Sequence, residues 1–62
     1  MGIMHITVNG EEIPVQCKAI SKMVMDNWSG DTKVHVDRPG GGEDVYVVEE
    51  DLPSLMERFN DA

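Results

Sequence analysis

Cysteine is nearly absent from this sequence: Cys17 is the only one. A single thiol forms no internal disulfide, so the chain is not a disulfide-built secreted scaffold. Aromatic residues are as scarce, with one Trp, one Tyr and one Phe. Bases are few: five Lys and Arg stand against twelve Asp and Glu, for a net charge of −7. A surface of that sign repels phosphate backbones and anionic lipid, which argues against direct nucleic-acid or membrane binding. No apolar run approaches the roughly 20 residues that span a bilayer. The opening Met-Gly-Ile-Met-His-Ile-Thr-Val has no basic leader and no apolar core of a signal peptide. The sequence therefore reads as cytoplasmic.

Catalytic patterns are missing too. No Cys-x-x-Cys or His-x-x-x-His spacing occurs, and in the strand pattern His5 and His35 face away from the side that carries Cys17. No metal and no cofactor is expected. Cys17 has no base placed beside it by spacing, and reads as a small buried hydrophobe. Ser21, Ser29 and Ser54 lack the flanking pattern of a nucleophile elbow. Gly40-Gly41-Gly42 is followed by Glu43-Asp44 rather than by Lys and Ser or Thr, so it is a hairpin loop and not a phosphate cradle. The chain reads as a non-enzymatic protein.

The 62 residues make one domain, residues 1–62. A chain this short buries only about 60% of the surface exposed by its unfolded state, so a partner or self-association would help it. Residues 3–8 alternate as a strand. Asn9-Gly10 then marks a two-residue hairpin turn, and residues 11–17 return. That turn pairs Val8 with Glu11, Ile6 with Ile13 and Met4 with Val15 on one face. Pro14 belongs on an edge strand or at a non-bonded position.

Residues 18–28 place Ile20, Met23, Val24 and Trp28 at helical spacing and predict a helix ending before Gly30. Residues 32–37 and 44–49 alternate as two further strands. Setting Val36 opposite Val45 and Val34 opposite Val47 places His35 beside Tyr46 on the other face. Residues 51–60 predict a closing helix, with Asp51 as cap, Pro53 in the first turn, and Leu52, Leu55, Met56 and Phe59 as its apolar stripe. The expected fold is α+β, ordered β-β-α-β-β-α. It is a four-stranded, largely antiparallel sheet with both helices on one face. Its expected core includes Val24, Trp28, Val45, Val47, Met56 and Phe59.

Two surfaces emerge as candidate binding sites. The charge is uneven: residues 43–62 carry Glu43, Asp44, Glu49, Glu50, Asp51, Glu57 and Asp61 against Arg58 alone. This patch suits a partner with a basic surface, and could imitate a nucleic acid to a protein that binds one. Part of it has a structural explanation, because Glu49, Glu50 and Asp51 stand at the positive end of a helix dipole. The second surface is the open sheet face, with Ile3, His5, Thr7, Glu12, Lys33, His35, Tyr46 and Val48, where His35 and Tyr46 form an amphipathic pair. The expected function is a small acidic protein-binding module, an inhibitor or regulator of a larger protein. The alternatives are a self-associating structural module, a homodimer paired through the open sheet face or an exposed edge, and a ubiquitin-like module.

That last alternative rests on a resemblance. Ile6-Thr7-Val8-Asn9-Gly10-Glu11-Glu12-Ile13-Pro14-Val15 followed by a helix resembles the opening of ubiquitin-like β-grasp proteins. The chain lacks their C-terminal Gly-Gly. The same segment, with a strand and helix over Val45 to Phe59, is similar in element order to BTB-type adaptors.

Overall fold

The computed structural model describes residues 2–62. Five strands form two antiparallel sheets, and one helix closes the chain. The first sheet is the hairpin of β1 (Ile3–Val8) and β2 (Glu11–Gln16). Asn9 at φ 52° and Gly10 at φ 82° make the left-handed turn that the sequence calls for. The observed pairs include Val8–Glu11, Ile6–Ile13 and Met4–Val15, as the turn dictates. Pro14 lies opposite His5. Counting from the bonded pair beside the turn, that is a non-bonded position. Its missing N–H therefore costs the ladder nothing and leaves the outer edge of β2 with one donor fewer.

The expected helix over 18–28 does not form. A short 3₁₀ turn at Cys17–Ala19 leads into a strand, β3 (Ile20–Met25). β3 pairs with β4 (Thr32–Asp37), which pairs in turn with β5 (Glu43–Val48), in the order β3-β4-β5. The four-stranded, two-helix architecture is thus replaced by sheets of two and three strands with one helix. A β-bulge explains the misleading pattern. Ile20 pairs with Val36 and Met23 with Val34, so three steps along β3 match two along β4, with the register shift between Ile20 and Lys22. One extra residue turns a spacing of two into a spacing of three, which reads as helical periodicity in sequence. A strand after the first hairpin also removes the helix on which the β-grasp resemblance depended.

The second hairpin differs from expectation by one residue. Val36 lies opposite Asp44, Val34 opposite Tyr46 and Thr32 opposite Val48. A slip of one exchanges the two faces of a strand. Tyr46 and Val48 therefore point inward, whereas Val45 and Val47 are about half exposed. The observed register packs a tyrosine ring against the core and joins Arg38 Nε to Asp44 Oδ1 at 3.0 Å.

The helix α1 (Leu52–Asp61) forms as expected. Asp51 Oδ1 accepts from the Ser54 N–H at 3.0 Å, and Pro53 sits in the first turn. Leu55 is fully buried, but Met56 and Phe59 remain partly exposed. The core is small: Met4, Ile6 and Val15 of the hairpin meet Val34 and Val48 of the larger sheet, with Leu55 from the helix. Val8, Ile13, Cys17, Ile20, Met23, Val36 and Tyr46 pack around it. Of the residues expected in the core, Val24, Trp28, Val45, Val47, Met56 and Phe59 are exposed large hydrophobics instead.

Candidate functional site

The segment between β5 and α1 ties the molecule together, and it uses carboxylates to do so. The Glu49 N–H donates to Thr7 O at 2.9 Å, linking the two sheets. The Glu49 carboxylate accepts from the Gly10 N–H at 2.6 Å. Glu50 reaches further inward, and its side chain is only 8% exposed. It accepts from the Thr7 N–H at 2.9 Å and the Thr7 hydroxyl at 2.8 Å, and it pairs with Arg58 at 2.6 Å. Burial pushes the Glu50 carboxyl up, but the Thr7 donors and the Arg58 guanidinium outweigh it and hold it below the ordinary glutamate range. The hydrogen bonds from Ser54 likewise lower Asp51.

At the far end of β5 the acids are paired again. His35 Nδ1 lies 2.8 Å from Glu43 Oε1, while Ser21 Oγ donates to Glu43 Oε2 at 3.2 Å. The His35 contact is the first cause of a lowered Glu43 pKa. The Ser21 hydroxyl is within hydrogen-bond reach of both Glu43 Oε2 and the His35 carbonyl, at 3.2 and 3.3 Å. Glu57 and Asp61 lie on the exposed side of α1 with Ser54 and Arg58. The seven carboxylates of the C-terminal patch therefore divide into three places. Glu49, Glu50 and Asp51 clasp the first hairpin and cap the helix. Beside the glycine loop Glu43 pairs with His35 and Asp44 with Arg38, and Glu57 and Asp61 stand on the helix.

The structure does not bring His35 and Tyr46 together. The one-residue register shift puts His35 on the outer face of the three-stranded sheet and Tyr46 on the inner one. Around His35 that outer face carries Lys22, Val24, Lys33, Val45 and Val47. Val48, expected on the open face, is buried.

Among the described residues, the most exposed large hydrophobic one is a residue that spacing assigned to the core. Trp28 is 97% exposed, at the tip of the loop between β3 and β4. The loop is braced from within. The Trp28 N–H donates to Asp26 Oδ1 at 2.9 Å, and the Gly30 N–H donates to Asp26 O at 2.7 Å. The Asp26 N–H donates to Asp31 O at 2.8 Å, and Lys33 pairs with Asp26 at 3.4 Å. The Trp28 amide is the first cause of a lowered Asp26 pKa. A legible signal was present in the sequence. Asp26-Asn27 before the indole and Ser29-Gly30-Asp31 after it are turn formers, unusual neighbours for a core residue. Beside this loop, Met25, Asp31, Val47, Glu49 and Asp51 line a shallow depression of about 450 Å³.

A second, larger recess lies at the opposite end of β4. It is a cleft of about 530 Å³ between β2 and the ends of β4 and β5. Ile13, Val36 and Tyr46 are among its lining residues, together with Lys18, Arg38 and Pro39. Among the described residues no group of three or more His, Cys, Asp or Glu side chains could hold a metal ion. No helix among them is long and apolar enough to cross a membrane. No protein family, curated protein or solved structure gives a significant match to this chain.

Proposed function

We propose that this chain is a non-enzymatic protein-binding module that engages its partner through the Trp28 loop. The observation that carries this reading is the near-complete exposure of the only tryptophan on a loop braced to hold it. An indole left in water forgoes about 1.5–3 kcal/mol of burial free energy. Tryptophan is also enriched among the residues that dominate binding energy. A loop held by its own hydrogen bonds loses little entropy on docking. The half-exposed Met25, where β3 enters the loop, adds apolar surface next to it.

The acids set the partner's character. Internal pairing leaves the net charge at −7, so the long-range field draws a basic surface towards the molecule. Near the anchor, Asp31, Glu49 and Asp51 give an acidic border to meet Lys or Arg on that partner. The partner is accordingly a protein with an apolar slot and basic edges.

Affinity capture from lysate tests the proposal. The wild type is expected to retain a defined protein, with retention falling as salt rises. Trp28→Ala is expected to lose at least about tenfold in affinity, a typical hot-spot effect. Equal capture by Trp28→Ala at all salt concentrations would overturn the reading.

A further inference from the structure

The partner required by this reading has an apolar slot edged by bases, and the chain itself carries one. The cleft at the far end of β4 is lined by Ile13, Val36 and Tyr46 together with Lys18 and Arg38. Two of the chain's five bases thus line it, with Asp37 as its acid. The cleft is an open groove of about 530 Å³, with room for an indole laid along it. The Trp28 loop offers the opposite sign in Asp31, because Asp26 is already paired with Lys33.

We infer that Trp28 of one copy seats in this cleft of a second copy. The inference rests on the reading of Trp28 as an anchor and names one partner for it. Both copies carry −7, so the local contact forms against their mutual repulsion and strengthens as salt screens it, the opposite of a basic partner. A molecule cannot fill its own cleft. The loop precedes Thr32 and the cleft involves Val36 to Pro39, so the two stand at opposite ends of the six-residue β4. That strand is about 20 Å long. The contact therefore joins unlike surfaces, the Trp28 loop of one copy and the cleft of the other, either reciprocally across a twofold axis or head to tail. In the seated pair, Asp31 of the loop approaches Lys18 of the cleft. Lys18 forms no salt bridge among the described residues, whereas Arg38 is held by Asp44. One anchoring tryptophan buries about 150–250 Å² of its own surface. This is a small interface, so association belongs in the range of about 10 µM to 1 mM.

Trp28 is the sole tryptophan and reports on its own burial. Sedimentation of the purified full chain across that range is expected to show average mass rising with concentration, and the indole emission should shift to the blue in parallel. The decisive arm adds excess Trp28→Ala protein to dilute wild type. That variant keeps the cleft but contributes no indole signal, and it is expected to produce the same blue shift. A Trp28→Ala/Lys18→Glu double variant should require several-fold more protein to do so.

A monomer with unshifted emission up to about 1 mM would overturn the inference. So would a shift on concentrating wild type that Trp28→Ala cannot reproduce, because that outcome indicates indole meeting indole. The two readings fail separately. Trp28-dependent capture from lysate by a strict monomer removes the second copy and keeps the anchor. Capture indifferent to Trp28 removes the anchor reading.

Discussion

The two hairpins of this molecule are built from the same kind of strand, yet only one announces its register. In β1–β2 the Asn9-Gly10 turn has two residues and one favoured geometry, so the closing pair and every pair after it follow. In β4–β5 the loop runs from Arg38 to Gly42, and Gly40, Gly41 and Gly42 all take positive φ. Such a loop accepts more than one pairing. The choice passes to the faces of β5, which offers valine at 45, 47 and 48 and tyrosine at 46. Alternation alone does not rank those sets. Packing does, because Tyr46 and Val48 together bury more apolar area than Val45 and Val47. A short turn therefore specifies pairing locally, and a glycine-rich one leaves it to the tertiary structure.

The largest effect expected from testing this contrast lies in the hairpin that is fully specified. Ile6 is completely buried, and Ile6→Ala should cost about 3–4 kcal/mol in denaturant unfolding. On a core this small, that loss should leave much of the protein unfolded at 37 °C.

Glu50 comes next, because it binds the first hairpin to the rest. Glu50→Gln should cost about 2 kcal/mol, since the uncharged amide weakens the Thr7 and Arg58 contacts together. The sign of its pH dependence follows from the lowered folded pKa. Its stabilisation is fully present above the ordinary glutamate value of 4.5 and is lost as pH falls through the lower folded value. Glu43, Asp26 and Asp51 are lowered as well and act in the same direction. Stability measured from pH 7 downward should thus fall below about pH 4.5, less steeply in Glu50→Gln. Equal slopes would mean that the clasp is not carrying charge.

The register of the second hairpin can be read from a matched pair of substitutions. Tyr46→Ala should cost about 2 kcal/mol and Val47→Ala less than about 0.5 kcal/mol. The reverse order would indicate the alternative pairing. Between those two values falls Gly10→Ala. At φ 82° a Cβ is strained, and about 1 kcal/mol should be lost without any new contact being made. Smallest for stability is Trp28→Ala, within about 0.5 kcal/mol, because the side chain touches little. Its effect should appear only in binding. A large loss of stability there would show that the indole packs after all.

Much of the candidate site was legible as residues but not as places. Crowding of acids into residues 43–62 is plain in the sequence. That Glu50 turns inward to Thr7 depends on strands distant along the chain, and no spacing rule reports it. The bulge at Ser21 hid a strand behind helical periodicity, and the same false helix drew Trp28 into the core on paper. Once β3 is recognised as a strand, the turn formers around Trp28 mark it as a loop residue.

By itself the sequence determined what local chemistry can enforce. It set the Asn9-Gly10 turn and its register, the cap at Asp51 with Pro53 behind it, the acidic balance, and a single cysteine that forms no internal disulfide. Those features act within a few residues or follow from composition. Tertiary structure alone decided the division into two sheets, the faces of β5, the inward turn of Glu50, and the exposure of Trp28. Each is a competition for burial among segments far apart in the chain. Such contests are settled by total apolar area and satisfied hydrogen bonds, quantities that belong to the packed whole.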